Sequence, residues 1–139
     1  MSTTSITASQ SGSSASVALL VGRILLAAMF VLAGFSKLTA ISATAGWFGS
    51  IGLPAPTIVA VLVGLLELVG GLAIVVGFQT RIAALALAAF TIAATLIAHV
   101  DFADMTQFLF FQKNFAIVGG LLVLAAVGAG SLSVDSRRG

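Results

Sequence analysis

The chain contains no cysteine and a single histidine, His99. The first absence excludes disulfides, thiol redox chemistry and thiolate metal sites within the chain. The second excludes bis-histidine haem ligation and any multi-histidine metal centre supplied by this chain alone. Charge is scarce as well. Only 7% of the 139 residues are Asp, Glu, Lys or Arg, where soluble domains carry about 25%. The net charge of +2 rests on few groups, and no basic cluster exceeds the pair Arg137 and Arg138, so nucleic acid is excluded as a partner. No repeat of a solenoid period is visible.

What remains is apolar. Hydrophobic residues make up 60% of the sequence, and the mean hydropathy is +1.23. A soluble domain of this length cannot hide that much apolar surface, so the lipid bilayer is the first partner the composition implies. Residues 1–16, MSTTSITASQSGSSAS, are Ser/Thr-rich without an apolar period and read as a disordered tail. Four apolar segments follow, at about Val17–Lys37, Thr57–Gly77, Thr80–His99 and Asn114–Gly130. Each is near the roughly 17–25 residues needed to cross the hydrocarbon core. Backbone groups in lipid must be satisfied internally, so each segment is a helix. The first is too long for a cleaved signal sequence, contains Arg23 and follows a stretch without Lys or Arg.

These readings give an all-α, integral membrane four-helix bundle over 17–131, with residues 132–139 as a short tail. Four spans put both termini on one side. Arg81, Arg137 and Arg138 lie there, and the positive-inside rule makes that side cytoplasmic. The outer side receives loops 39–56 and 101–112, each expected to hold an interfacial helical segment. Phe35, Trp47, Phe48, Phe102, Phe108, Phe110, Phe111 and Phe115 all fall near it. They are either an interfacial aromatic belt or a lid over an apolar cavity.

The polar residues inside the spans form the candidate site. Glu67 lies in the middle of GLLELVGG and is flanked on its own face by Gly64, Gly70 and Gly71, which let a neighbouring helix come close. Arg23, Gly34 and Lys37 share one stripe of the first helix. Of its two cations, Arg23 is the expected partner for Glu67, reached by a long guanidinium arm. Arg81 and His99 share a face of the third helix. The set Arg23, Glu67 and Arg81 would point inward in the cytoplasmic half, and Lys37, His99, Lys113 and Asn114 in the outer half. Two accounts compete for Glu67: a buried ion pair that fixes register, or a proton-handling or ligand site. His99 is either an interfacial histidine bonded to the third loop or a partner to a ligand head group. Lys37 and Lys113 read first as snorkelling helix-end cations. Asn114 either caps the fourth helix or faces a cavity. Gly119 and Gly120 read as close helix packing. No catalytic residue and no metal site stand out.

Taken in order, Arg23, GFSKL at 34–38, GLLELVGG at 64–71, GFQTR at 77–81, His99, FQKNFAIVGGLL at 111–122 and GAGSLSVD at 128–135 resemble the DoxX family of small bacterial four-helix membrane proteins. The resemblance implies an inner-membrane protein that serves as an accessory subunit of a quinone-linked redox or oxidative-stress complex. It would not be an enzyme by itself and would hold no intrinsic cofactor. A quinone or another small apolar ligand would sit in an outer pocket with Lys37, His99 and Asn114. An oxidoreductase and further copies of the chain are the protein partners it suggests. The alternative is a non-catalytic assembly protein whose buried polar residues are purely structural. A transporter fits less well, because the spans lack obvious mid-span breaks.

Overall fold

The computed structural model describes the backbone of residues 2–138 and side chains from Gly12 to Arg138. It consists of α1 (Ser2–Thr39), α2 (Ile41–Ser50), α3 (Pro56–Val76), α4 (Thr80–Ala98), α5 (Met105–Val127) and α6 (Val134–Arg138). The described residues include no strand. Four of the helices, α1, α3, α4 and α5, are long and apolar enough to cross a membrane. Their outward faces carry large apolar side chains such as Leu25, Leu32, Ile58, Ile82 and Val123, each more than 60% exposed. Such a surface suits lipid and not water.

Two expectations about boundaries change. The Ser/Thr-rich stretch is helical through Gly12–Ser16 rather than disordered. The Ser16 hydroxyl bonds back to Gly12 O at 2.9 Å, and Ser131 Oγ donates to Ser16 Oγ at 2.7 Å, so side chains tie this part of the helix to itself and to the tail. Met1 and the side chains before Gly12 lie outside the described residues. The fourth span starts at Met105 rather than Asn114. Asp104 is its N-cap, with Oδ1 accepting from Thr106 N–H at 2.9 Å. The segment expected as a separate helix in the third loop is therefore the first turns of α5. The helix expected in the first loop is present as α2, which packs Ala45 and Phe48 against Ala60 of α3.

α1 and α3 form the tightest pair, and glycines are the reason. A Cβ on Gly34 would run into the backbone of Leu68 and come within 2.7 Å of Gly64 O. One on Gly64 would meet Leu38 at 2.8 Å, and one on Gly71 would meet Val31 at 2.9 Å. Small residues let two backbones touch, which is how helices gain contact in lipid. α3 ends in a Schellman turn. Gly77 has φ +74° and Phe78 N–H bonds to Ala73 O at 2.8 Å. Two residues later α4 begins, so α3 and α4 are antiparallel neighbours, with Gly70 against Leu87. α4 and α5 pack along their length. The shared core is Ala27, Phe30, Ile74, Ala84, Leu87 and Leu121. α1 and α5 barely meet, and an open groove runs between them.

Candidate functional site

The polar residues collect at two levels. At the end of the bundle that holds α6, Arg23 is 2% exposed. Its Nε donates to Ile74 O at 3.0 Å and Nη2 to Val75 O at 2.9 Å. Nη1 donates to Ala129 O at 2.7 Å and Leu132 O at 3.0 Å. These are carbonyls at the end of α3 and in the tail, groups a helix C-terminus leaves unpaired. Arg81 does similar work nearby, with Nη1 donating to Ala126 O at 3.0 Å at the end of α5. The tail is fastened from the other side by Asp135. Its carboxylate accepts from Gln79 N–H at 2.7 Å and Thr80 N–H at 2.9 Å, capping α4, while its own N–H donates to Gly77 O at 2.8 Å. Burial alone would raise the Asp135 carboxyl. The Thr80 N–H, the nearby Thr80 hydroxyl, the Gln79 N–H and the Arg138 charge outweigh it, and hold the group below the usual carboxylate range. Arg138 lies over the Phe78 ring at 5.1 Å.

The expected pairing of Arg23 with Glu67 is therefore wrong. The glycine contacts set the register of α1 against α3, and they place Arg23 beside Gly77, with Nη2 3.2 Å from a Cβ built there. Glu67 stands ten residues further along α3, about 15 Å away along the axis. The cation that reaches it is Lys37, whose Nζ is 2.9 Å from Oε1. This is the one salt bridge among the described residues, with side chains 25% and 5% exposed. Glu67 thus belongs with the residues toward the loop end and not with Arg23 and Arg81.

The α4/α5 interface continues the polar set. Thr91 Oγ1 donates to Leu87 O at 2.7 Å, Thr95 Oγ1 to Thr91 O at 2.6 Å, and Asn114 Nδ2 to Thr95 Oγ1 at 2.9 Å. Asn114 is mid-helix, so its amide serves the interior and not the cap. One turn further out, His99 stacks on Phe110 with ring centroids 5.0 Å apart. Its backbone N–H bonds to Thr95 O at 2.9 Å, but its buried Nδ1 has no partner among the described residues. The expected bond to the third loop is absent. Burial lowers the His99 pKa, so the ring is neutral at pH 7. Contact of Gly70 with Leu87 puts Glu67 level with Thr91, since the two helices run antiparallel. The order from the loop end inward is His99, then Asn114 with Thr95, then Thr91 beside the level of Lys37–Glu67.

Lys113 does not join this set and is exposed. Gly119 does not pack closely either: a Cβ there would meet nothing within 4 Å. Phe102, Phe108, Phe111 and Phe115 pack on one another, with centroids 4.8–5.7 Å apart. The larger cavity is the α1/α5 groove, which none of Lys37, His99 and Asn114 lines. No group of three or more His, Cys, Asp or Glu gathers among the described residues to hold a metal. Sequence reasoning missed Asp104, Asp135, Thr91 and the capping role of both arginines. An Asp before the apolar run of α5 was the available signal for the first. Nothing local marks Asp135, which acts across the chain.

The DoxX family model matches residues 18–100, spanning most of α1 through α4. The chain belongs to the DoxX family. Two curated relatives from Escherichia coli (strain K12) extend the likeness into α5. Inner membrane protein YqjF is 42% identical over 119 residues, covering 86% of this chain and 90% of that protein. Inner membrane protein YphA is 33% identical over 132 residues, covering 91% and 94%. No solved structure matches. With four membrane-length helices of its own, this DoxX protein is a multi-pass protein of the inner membrane. In it, Asn114 and Asp135 lie beyond the segment the family model covers, while Arg23, Lys37, Glu67, Arg81 and His99 lie within it.

Proposed function

We propose that this DoxX protein is an accessory membrane subunit for a quinone-linked or oxidative-stress redox partner, with both termini cytoplasmic. Its loop end receives a quinone-like head group. The observation that supports this is His99: a neutral ring stacked on Phe110, with a buried Nδ1 that lacks a partner, one turn from Asn114. A buried polar atom without a partner costs free energy unless something arrives to satisfy it. A quinone carbonyl accepts a hydrogen bond, and on this reading the imidazole, in its Nδ1–H form, and the Asn114 amide are its donors. The chain has no cysteine and one histidine, so electrons would pass through the ligand and its partner enzyme. Titrating purified protein with a short-chain benzoquinone and a naphthoquinone tests the reading. His99→Ala and Asn114→Leu should each weaken binding about tenfold. If neither quinone binds the unaltered protein, the ligand reading fails. Alkaline phosphatase fused after Arg138 should be inactive if that end is cytoplasmic.

A second reading has its own support. Lys37 and Glu67 satisfy each other, and both Arg23 and Arg81 are engaged on helix ends. This suits an assembly protein with a rigid polar interior. On that reading Glu67→Gln lowers abundance or melting temperature, and affinity purification from membranes recovers a partner whose yield follows abundance alone.

A further inference from the structure

We infer that the α1/α5 groove and the polar cleft at its end hold a single phospholipid whose headgroup carries both a phosphate and a primary amine. The groove is about 710 Å³ and is lined by Leu19, Gly22, Leu26 and Met29 of α1 and by Gly119, Gly120 and Val123 of α5, among others. It exists because the two helices do not close. A Cβ on Gly22 or Gly119 would meet nothing within 4 Å, and one on Gly120 would reach only Leu26, at 3.6 Å. Its one charged lining residue, Arg23, is committed to four carbonyls, so the groove offers an occupant only apolar contact.

Length separates the candidate occupants. The lining runs from Ala18 to Met29 on α1 and from Val127 back to Ile117 on α5, about 15–17 Å along the axis. The hydrocarbon core is about 30 Å thick, so the groove is one leaflet deep. A second transmembrane helix would follow the whole span, whereas an acyl chain ends at the midplane. The groove lies on the side of the bundle where α6 sits, which fixes the leaflet.

The end of the groove supplies the headgroup contacts. A polar cleft of about 390 Å³ adjoins it, and Val127 lines both. Leu19 of the groove lies 3.0 Å from a Cβ built on Gly130 of the cleft. Arg81 and Asp135 both line this cleft. Arg81 is exposed, and among the described residues its Nε and Nη2 make no hydrogen bond while Nη1 holds Ala126 O. It is placed to grip a phosphate. The Asp135 carboxylate caps α4 with one bond to each oxygen, which leaves lone pairs for an ammonium. Two opposite charges lining one cleft match a zwitterion better than a purely anionic headgroup. Phosphoethanolamine presents N–H donors to Asp135. Phosphocholine has none, and phosphoglycerol has no cation.

Native mass spectrometry of the full-length protein tests this, after delipidation and addition of phosphatidylethanolamine, phosphatidylglycerol and phosphatidylcholine with identical acyl chains. One ethanolamine lipid should be retained about fivefold over either competitor, the worth of a single added hydrogen bond. Asp135→Asn should abolish the preference for amine over choline. Arg81→Gln should lower retention of all three lipids. Gly119→Leu, or Val123→Trp if the first variant folds poorly by circular dichroism, should lower retention of every lipid by filling the groove. Equal retention of the three lipids by the unaltered protein overturns the inference. So does a preference unchanged in Asp135→Asn. Retention unaffected by either groove variant also overturns it, as does a dimer that Gly119→Leu dissociates.

Discussion

At the scale of single residues, the decisive fact is which cation meets Glu67. Arg23 and Lys37 share a stripe of α1 and differ only in depth. The depth is set by glycines that place Gly34 against the Gly64 carbonyl. The sequence shows direction well, because flanking glycines mark the face on which Glu67 sits. It shows depth poorly, because register between two helices is decided by contacts far apart in the chain. Two predictions belong here. Lys37→Met leaves a buried carboxylate without its partner and should cost about 3 kcal/mol. The double variant Lys37→Met with Glu67→Leu removes both charges and should recover most of that loss in a thermal melt in detergent. Arg23→Lys keeps the charge, but an ammonium cannot match four bonds in the guanidinium plane. It should cost about 2–3 kcal/mol by the same measurement.

At the scale of elements, four long apolar runs made the spans legible, and the start of α5 was not. Gln107, Gln112 and Lys113 look like a loop. The helix begins before them because Asp104 caps it and because Phe108 and Phe111 each pack edge-on against Phe102, with Phe115 against Phe111. Gly34 and Gly119 draw the clearest contrast. Both read as packing glycines, yet one meets the facing backbone and the other meets open space. Gly34→Ala should destabilise the α1/α3 pair by about 1–3 kcal/mol, since the facing atoms are backbone and cannot turn aside. Gly119→Ala should leave the melting temperature unchanged or slightly higher. Comparing the two melts, or the yields of folded protein, checks the contrast. Equal effects would mean that α1 and α5 do pack.

The whole molecule is a tight α1/α3 pair and an α4/α5 pair, joined through the α3–α4 turn and tied at one end by the tail. The helical bundle and its span number follow from hydrophobic runs alone. In sequence the loop end reads as either an aromatic belt or a lid over a cavity; the groove between α1 and α5 is not foreseen, because exposed glycines without a facing contact look the same in sequence as packed ones. Two pH responses follow. His99 has a lowered pKa in the folded protein, so the unfolded chain binds the proton more readily. Stability is complete above about pH 6.5 and falls as pH drops below it. His99→Phe should flatten that part of a pH–melting curve. Asp135 has a lowered pKa as well, so its contribution is present above about pH 4 and is lost on further acidification. Asp135→Ala should remove that second response and lower stability by about 1 kcal/mol at neutral pH through the lost helix cap.

The four carbonyls around Arg23 also impose an order of assembly in time. Two of them, Ala129 O and Leu132 O, lie 106 and 109 residues downstream. When α1 is inserted as the first span, half of the acceptors for its guanidinium have not been synthesised. A charge within a span costs at least about 2.5–3.5 kcal/mol while unpartnered. The first helix therefore waits, incompletely satisfied, for the segment that follows α5 to arrive. A chain halted before Ala129 should stay bound to the insertion machinery or be degraded, even with all four spans complete.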